Sequence, residues 1–199
     1  MTYSEAYAHI DNLLDKSGTS YFTDSEKNQF LDLAIMEYTK GVVNTLESDA
    51  QSMEKVAPLV SKSSVLPLTD GAAALPTGFY HLLRAYTSAG NHTINIMGVG
   101  QYAATIGDPF HKADEENPIG IMKGSSLEIH GSSESIYVYY IAAPSLSTDD
   151  DFDTTTTTLG GYDMNSSDEI VNIAVRKMML SLEDPRYQLQ INELTAEKR

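Results

Sequence analysis

The sequence predicts an α+β protein in which N- and C-terminal helices pack as a bundle and an antiparallel β-sheet or sandwich is inserted between them. Three observations predict it. Apolar residues recur at helical spacing at both ends of the chain. The middle, from about Ser63 to Pro144, reads as short strands separated by turn residues. One of those strands, Ser135 to Pro144, carries apolar and aromatic residues at successive positions, hence on both faces. A sheet with one wet face alternates polar and apolar residues, so this strand is sandwiched or lies under a neighbouring subunit. The expected parts are an N-terminal helical part (1–62), an inserted β-subdomain (63–146), a polar flexible loop (147–167) and C-terminal helices (168–199) that complete the helical part.

Composition narrows the function classes. A chain of 199 residues can bury a sizeable core, and 41% hydrophobic residues support folding over disorder. With no cysteine, disulfides and thiolate-metal sites are impossible. The net charge of −15 argues against a surface that grips phosphate backbones or anionic lipid. It suits solubility, and equally a wall that nucleic acid must pass without sticking. The start, Met1-Thr2-Tyr3-Ser4-Glu5, has neither a basic region nor an apolar run, and no segment has membrane-spanning length. Synthesis in the cytoplasm is the expectation.

The first helix is expected from Tyr3 to Lys16, with Tyr3, Tyr7, Ile10 and Leu14 on one stripe. Thr2 and Glu5 have capping-box spacing, and Ser17-Gly18 supplies a stop. Thr23-Asp24-Ser25-Glu26 is a second capping box. Behind it Phe30, Leu33, Ala34, Tyr38, Val42 and Leu46 form the expected core stripe, continuing through Ala50, Met53 and Ala57 to Pro58, as one helix or two joined near Ser48-Asp49.

In the β region Val65 to Leu68 and Ala73 to Pro76 flank the turn signal Thr69-Asp70-Gly71. Phe79 to Tyr86 and Thr93 to Met97 flank Ser88 to Asn91. The segments Ile119 to Met122, Leu127 to His130 and Ile136 to Ala142 are separated by Gly124-Ser125-Ser126 and Gly131-Ser132-Ser133. Tight turns imply antiparallel pairing, because parallel pairing needs long crossovers. The stretch from Ser147 to Ser167, with Thr154 to Thr158 in a row, has little apolar content and is expected to be flexible or ordered only against a partner. A third capping box, Ser166-Ser167-Asp168-Glu169, precedes an apolar face of Ile170, Val171, Ala174, Val175, Met178, Met179 and Leu182. Asp184-Pro185 then starts a last helix with Tyr187, Ile191 and Leu194.

Four groupings bear on chemistry. Gly98-Val99-Gly100-Gln101-Tyr102-Ala103 matches the GxGxxA of a dinucleotide turn, but no βαβ unit is evident around it and Gly107-Asp108-Pro109 cuts the following helix short. A turn and short helix between strands is the simpler account. The segment Asp108 to Glu116 offers His111 and Asp114 with neighbouring carboxylates, the raw material for a hard cation or acid-base work, though a solvated loop fits as well. Asp149-Asp150-Asp151-Phe152-Asp153 starts like a calcium loop. It fails at Thr154, where glycine is needed, and at Gly160, where the bidentate glutamate belongs. His9, His81, His92, His111 and His130 form no HxH or HExxH pattern, and no nucleophile elbow or Walker loop occurs. Neither catalysis nor a cofactor or metal is expected.

The order of these features resembles the head-tail adaptor, or connector-ring, proteins of the tailed-bacteriophage neck. The residues that carry the resemblance are the helical run Phe30 to Tyr38, the Leu75-Pro76 step before the aromatic pair Phe79-Tyr80, the strand pair Gly124 to Ile129 and Ile136 to Pro144, and the acidic loop leading into Asp168 to Val175. It spans nearly the whole chain as a pattern, with Val99 to Pro118 unmatched. The resemblance implies a structural virion protein, made in the host cytoplasm, whose copies form a homo-oligomeric ring, commonly twelvefold, below the portal. Its partners are then the portal protein and tail or neck proteins. The genome passes through the lumen, at genome ejection, without specific binding, and no membrane is involved. Ile136, Tyr137, Val138, Tyr139, Tyr140 and Ile141 become the expected oligomer interface. Two other classes compete: a monomeric module whose sheet recognises a peptide or sugar, and a metal-dependent hydrolase built on His111 and Asp114.

Overall fold

A computed structural model describes residues 1–14, 22–46, 50–107 and 113–181. The expected stop at Ser17-Gly18, the junction at Ser48-Asp49, the loop residues Asp108 to Lys112 and the last helix after Asp184 lie outside the described residues. The fold is α+β: among the described residues, five α-helices and one curled, seven-stranded mixed sheet. The chain divides into two compact units, 1–59 with 144–199, and 60–143.

In the first unit, α1 (Tyr3–Leu13) and α2 (Asp24–Thr45) both begin at complete capping boxes, in which Thr2 with Glu5 and Thr23 with Glu26 satisfy each other's backbone donors. Hydrogen bonding to these backbone N–H groups holds both glutamates below the ordinary carboxylate range. A carboxylate with a depressed folded-state pKa contributes stability that is complete above its unfolded value, here 4.5 for Glu26, and is lost as pH falls through the folded value. Glu26→Gln removes that titration. The stability gap between wild type and Glu26→Gln is therefore expected to be constant at neutral pH and to shrink in acid, measured by paired urea titrations across that range.

The buried stripe of α2 is Lys27, Leu31, Ala34, Ile35, Tyr38, Thr39 and Val42. This rotates the expected face: Leu33, placed in the core stripe from the sequence, is 58% exposed. The pattern Phe30-Leu31 and Leu33-Ala34-Ile35 admits two helical registers, and packing selects the one centred on Leu31 and Ile35. Lys27 is buried with its charge, its Nζ 2.7 Å from Asp11 Oδ2 and 5.5 Å from the centre of the Tyr7 ring. Burial of an ammonium is tolerable only with such partners. Lys27→Ala is expected to destabilise this unit by about 2 kcal/mol, through lost stem packing and an ion pair broken at a partly wet site, read as a lower urea midpoint.

The helix α3 (Ala50–Val56) and a short 3-10 turn at Ala57–Leu59 follow. The last described helix is α5 (Met164–Ser181), which packs along α2, while α1 packs on both. Its cap is Asp163, whose carboxylate accepts from Ser166 N at 2.8 Å, so the helix starts before the Ser166 box expected from sequence; Ser166 and Ser167 lie buried inside it. Ile170, Val171, Ala174, Val175 and Met178 are buried as expected.

The threonine-rich stretch, read from composition as flexible or partner-ordered, is tied into this unit. Thr154 and Thr157 carbonyls accept from Ser4 and Tyr3 backbone N–H, and Leu159 N donates to the Met1 carbonyl. Phe152 meets the Tyr3 ring edge-on at 4.9 Å, Leu159 is fully buried, and Tyr162 meets the Tyr38 ring edge-on and shares a 2.7 Å hydrogen bond with Thr39 Oγ1. A few anchors and a strand-like backbone pairing replace the apolar stripe that composition lacks.

In the second unit the strands are β1 (Val60–Lys62), β2 (Ala72–Ala74), β3 (Phe79–Thr87), β4 (Thr93–Ile96), β5 (Ile119–Lys123), β6 (Ser126–His130) and β7 (Ile136–Ala142), with α4 (Val99–Gly107) between β4 and β5. Their order across the sheet is β1-β7-β3-β4-β5-β6-β2. Asp70 and Gly71, both with positive φ, form the expected tight turn before β2, and Gly124 does the same between β5 and β6. The all-antiparallel expectation is corrected at one place: β4 and β5 run parallel. The connection from 97 to 118 is long enough for a crossover, and α4 makes it. A single sheet replaces the alternative of a sandwich. One face of the sheet buries Ala73, Ala85, Ile94, Leu127, Ile129, Ile136 and Val138, flanked by Leu66, Leu68, Leu75, Leu82, Met122 and Tyr140.

Candidate interaction surface

The strand β7 lies between β1 and β3, so both its edges are hydrogen-bonded and only its faces are available. Its alternation sorts the six expected interface residues by role. Ile136 and Val138 are fully buried and Tyr140 packs beside them on the sheet core. These three hold the sheet together. Ile141 is also fully buried. Tyr137 and Tyr139 point the other way. By alternation Ile141 shares their face but is fully buried, so of the expected interface set only these two leave side-chain surface open there, with Tyr139 36% exposed.

Pairing register builds the rest of that face. Tyr86 on β3 pairs with Tyr137, and their rings stack with centres 5.4 Å apart and planes 20° from parallel. Tyr139 meets both rings edge-on, at 6.0 Å from Tyr86 and 6.1 Å from Tyr137. The Tyr137 hydroxyl donates to Asn91 Oδ1, in the turn between β3 and β4. One row along, Lys62 on β1 and Arg84 on β3 flank Tyr139. The Lys62 ammonium lies 4.0 Å from the Tyr137 ring centre and 5.5 Å from that of Tyr139. Ring faces attract a cation at this range. Lys62 and Arg84 are exposed, and among the described residues neither makes an ion pair. The surface is thus three ordered aromatic rings bordered by two cations that make no ion pair among the described residues. It offers large apolar area at low ordering cost with charge at its rim, the composition of a binding patch. Sequence reasoning found the tyrosines through the unusual β7 pattern. It missed Tyr86, Lys62 and Arg84 as partners because only register brings them together, and β1, a three-residue strand that begins two residues after Pro58, has no strand signal of its own.

The other expected sites do not assemble. The GxGxxA segment sits at the turn into α4, and the β4-α4-β5 crossover corrects the expectation that no βαβ unit surrounds it. The residue at the end of β5, the place of the ribose-binding acid in a dinucleotide fold, is Lys123, and it pairs with Glu128. α4 instead covers the sheet, with Tyr102 packed on Ile119 and Ile121. The Tyr102 hydroxyl donates to Glu128 at 3.2 Å, and burial together with that carboxylate pushes its pKa up to about 12. His111 lies outside the described residues. Asp114 is occupied locally, accepting from Glu116 N at 3.1 Å and Asn117 N at 2.7 Å. In the Asp149 run, Asp149 caps Leu146 N and Asp153 caps Thr155 N, each at 2.8 Å, a turn-forming role. Among the described residues no three His, Cys, Asp or Glu side chains converge as a metal site, and no helix is long and apolar enough to cross a membrane.

No family model matches the chain, and no curated protein matches it significantly.

Proposed function

We propose that this chain is a structural component of the tailed-phage neck, a head-tail connector whose copies form a ring, twelvefold in keeping with the resemblance, between portal and tail. The observation that carries the reading is the Tyr86-Tyr137-Tyr139 face: three ordered aromatic rings, half-buried at Tyr86 and Tyr137 and exposed at Tyr139, on the strand that the resemblance puts at the subunit contact and on its neighbour β3. A ring contact is heterologous and closes by rotation, so each copy needs one such donor face and a different acceptor face. In this reading α1, α2 and α5 form a bundle that makes the ring body, and the sheet unit reaches neighbours in the ring or the next ring. The net charge of −15 suits a lumen lined by Asp and Glu that repels phosphate, the reverse of counterion-release binding. The role needs no cofactor and no catalysis.

The aromatic face also favours a second reading, a monomeric module whose sheet recognises a sugar or peptide at the exposed Tyr139 ring. Mass separates the two. The connector reading expects a discrete, closed oligomer by sedimentation or native mass measurement, or a ring in virions. A monomer at every concentration, in a protein missing from virions, is the result that selects the binding module.

A further inference from the structure

We propose that the Lys62-Tyr139-Arg84 row receives the Asp150-Asp151 turn of a second copy of this chain; this rests on the ring reading above and names the two surfaces that meet. A chain this acidic repels its own copies. Self-association therefore needs a place where the sign reverses. In the sheet unit three cations are described, and Lys123 is already paired with Glu128, which leaves Lys62 and Arg84. They stand on either side of one exposed tyrosine, about 10 Å apart across two strand spacings. A pair of adjacent carboxylates with an apolar neighbour fits that arrangement.

The helical unit supplies such a pair. Asp150 and Asp151 are exposed and make no hydrogen bond or ion pair among the described residues. Their turn is already ordered on both sides. Asp149 holds Leu146 N, Asp153 holds Thr155, and Phe152 is fixed against the Tyr3 ring. A preformed turn loses little entropy on docking. The surfaces differ, one on the sheet unit and one on the helical unit, so the contact runs head to tail as a closed ring requires.

The test uses full-length chain and sedimentation equilibrium, with melting curves to show that each variant is folded. K62E/R84E and D150K/D151K are each expected to weaken self-association about a hundredfold, because attractive pairs become like-charge pairs. An equal mixture of the two variants is expected to restore it, since each then offers the other a complementary surface. E115K/E116K, which alters exposed acids elsewhere, is expected to leave it unchanged. If charge reversal unfolds the sheet unit, K62Q/R84Q replaces it with an expected loss of about tenfold. Reversed variants that associate like wild type, or a mixture that fails to recover, overturn this proposal and leave the ring reading standing. If wild type is a monomer in solution but a ring in virions, zero-length crosslinks from Lys62 to Asp150 or Asp151 become the readout, and their absence overturns it. A wild-type chain that forms no oligomer in either setting removes the ring reading and this contact together.

Discussion

Gly160→Val is expected to destabilise the helical unit by about 3 kcal/mol or more, the sum of a left-handed backbone and an overfilled core. Gly160 has φ +59 inside the turn Leu159–Gly161, a conformation that a β-branched residue adopts only with strain. The space is closed as well. A Cβ there would lie 2.8 Å from Ile35 Cγ2 and 3.0 Å from the Tyr162 ring. Neither neighbour is free to move, because Ile35 is fully buried in α2 and Tyr162 is held by Thr39. The neighbouring Gly161→Ala is the control. It has φ +77, but its nearest contact is a Leu59 methyl at 3.2 Å, so the cost reduces mainly to backbone strain of about 1–2 kcal/mol. Urea titrations of the two variants are expected to rank them in that order. Equal and small losses would mean that the turn can shift away from α2.

Alanine at two positions on β7 is expected to give opposite phenotypes. Ile136 is fully buried in the sheet core, and Ile136→Ala is expected to cost about 2–5 kcal/mol of stability. Tyr139, on the other face and 36% exposed, contributes ring contacts but no core. Tyr139→Ala is expected to cost about 1 kcal/mol or less in folding, while weakening self-association about tenfold or more, as loss of a central aromatic does. Melting curves and sedimentation on the same samples separate the effects. A Tyr139→Ala protein that melts far below wild type and associates normally would assign the face to folding.

The same strand shows how much was legible in the sequence. Successive apolar residues from Ile136 to Ile141 announced that neither face was ordinary, and the structure divides them between a core on one face and, on the other, Tyr137 and Tyr139 beside the buried Ile141. Capping boxes at Thr2 and Thr23 and the turns at Asp70-Gly71 and Gly124 were legible because each is a local agreement between side chain and backbone. What stayed hidden depends on distant partners. Leu31 and Leu33 have equal claims to the buried face of α2 until other helices pack against it. Strand β1 gains its identity only from pairing with β7. Helix α4 was visible only as a brief run between Gly98 and Gly107, so the parallel β4-β5 pair it permits was missed. The stretch from Asp149 to Tyr162 looked structureless because its ties to Met1, Tyr3 and Ser4 are backbone hydrogen bonds, which leave no mark on composition. The candidate surface follows the same rule: its tyrosines on β7 were legible, while Lys62, Arg84 and Tyr86 join them only through register.

The most direct test of the connector reading is cryo-electron microscopy of purified virions whose genome encodes this chain. The account predicts a ring of its copies between capsid and tail, with Tyr86, Tyr137 and Tyr139 of each copy covered by the next and acidic side chains lining the lumen. Virions that lack the chain, or a ring in which that aromatic face is open to solvent, would contradict it.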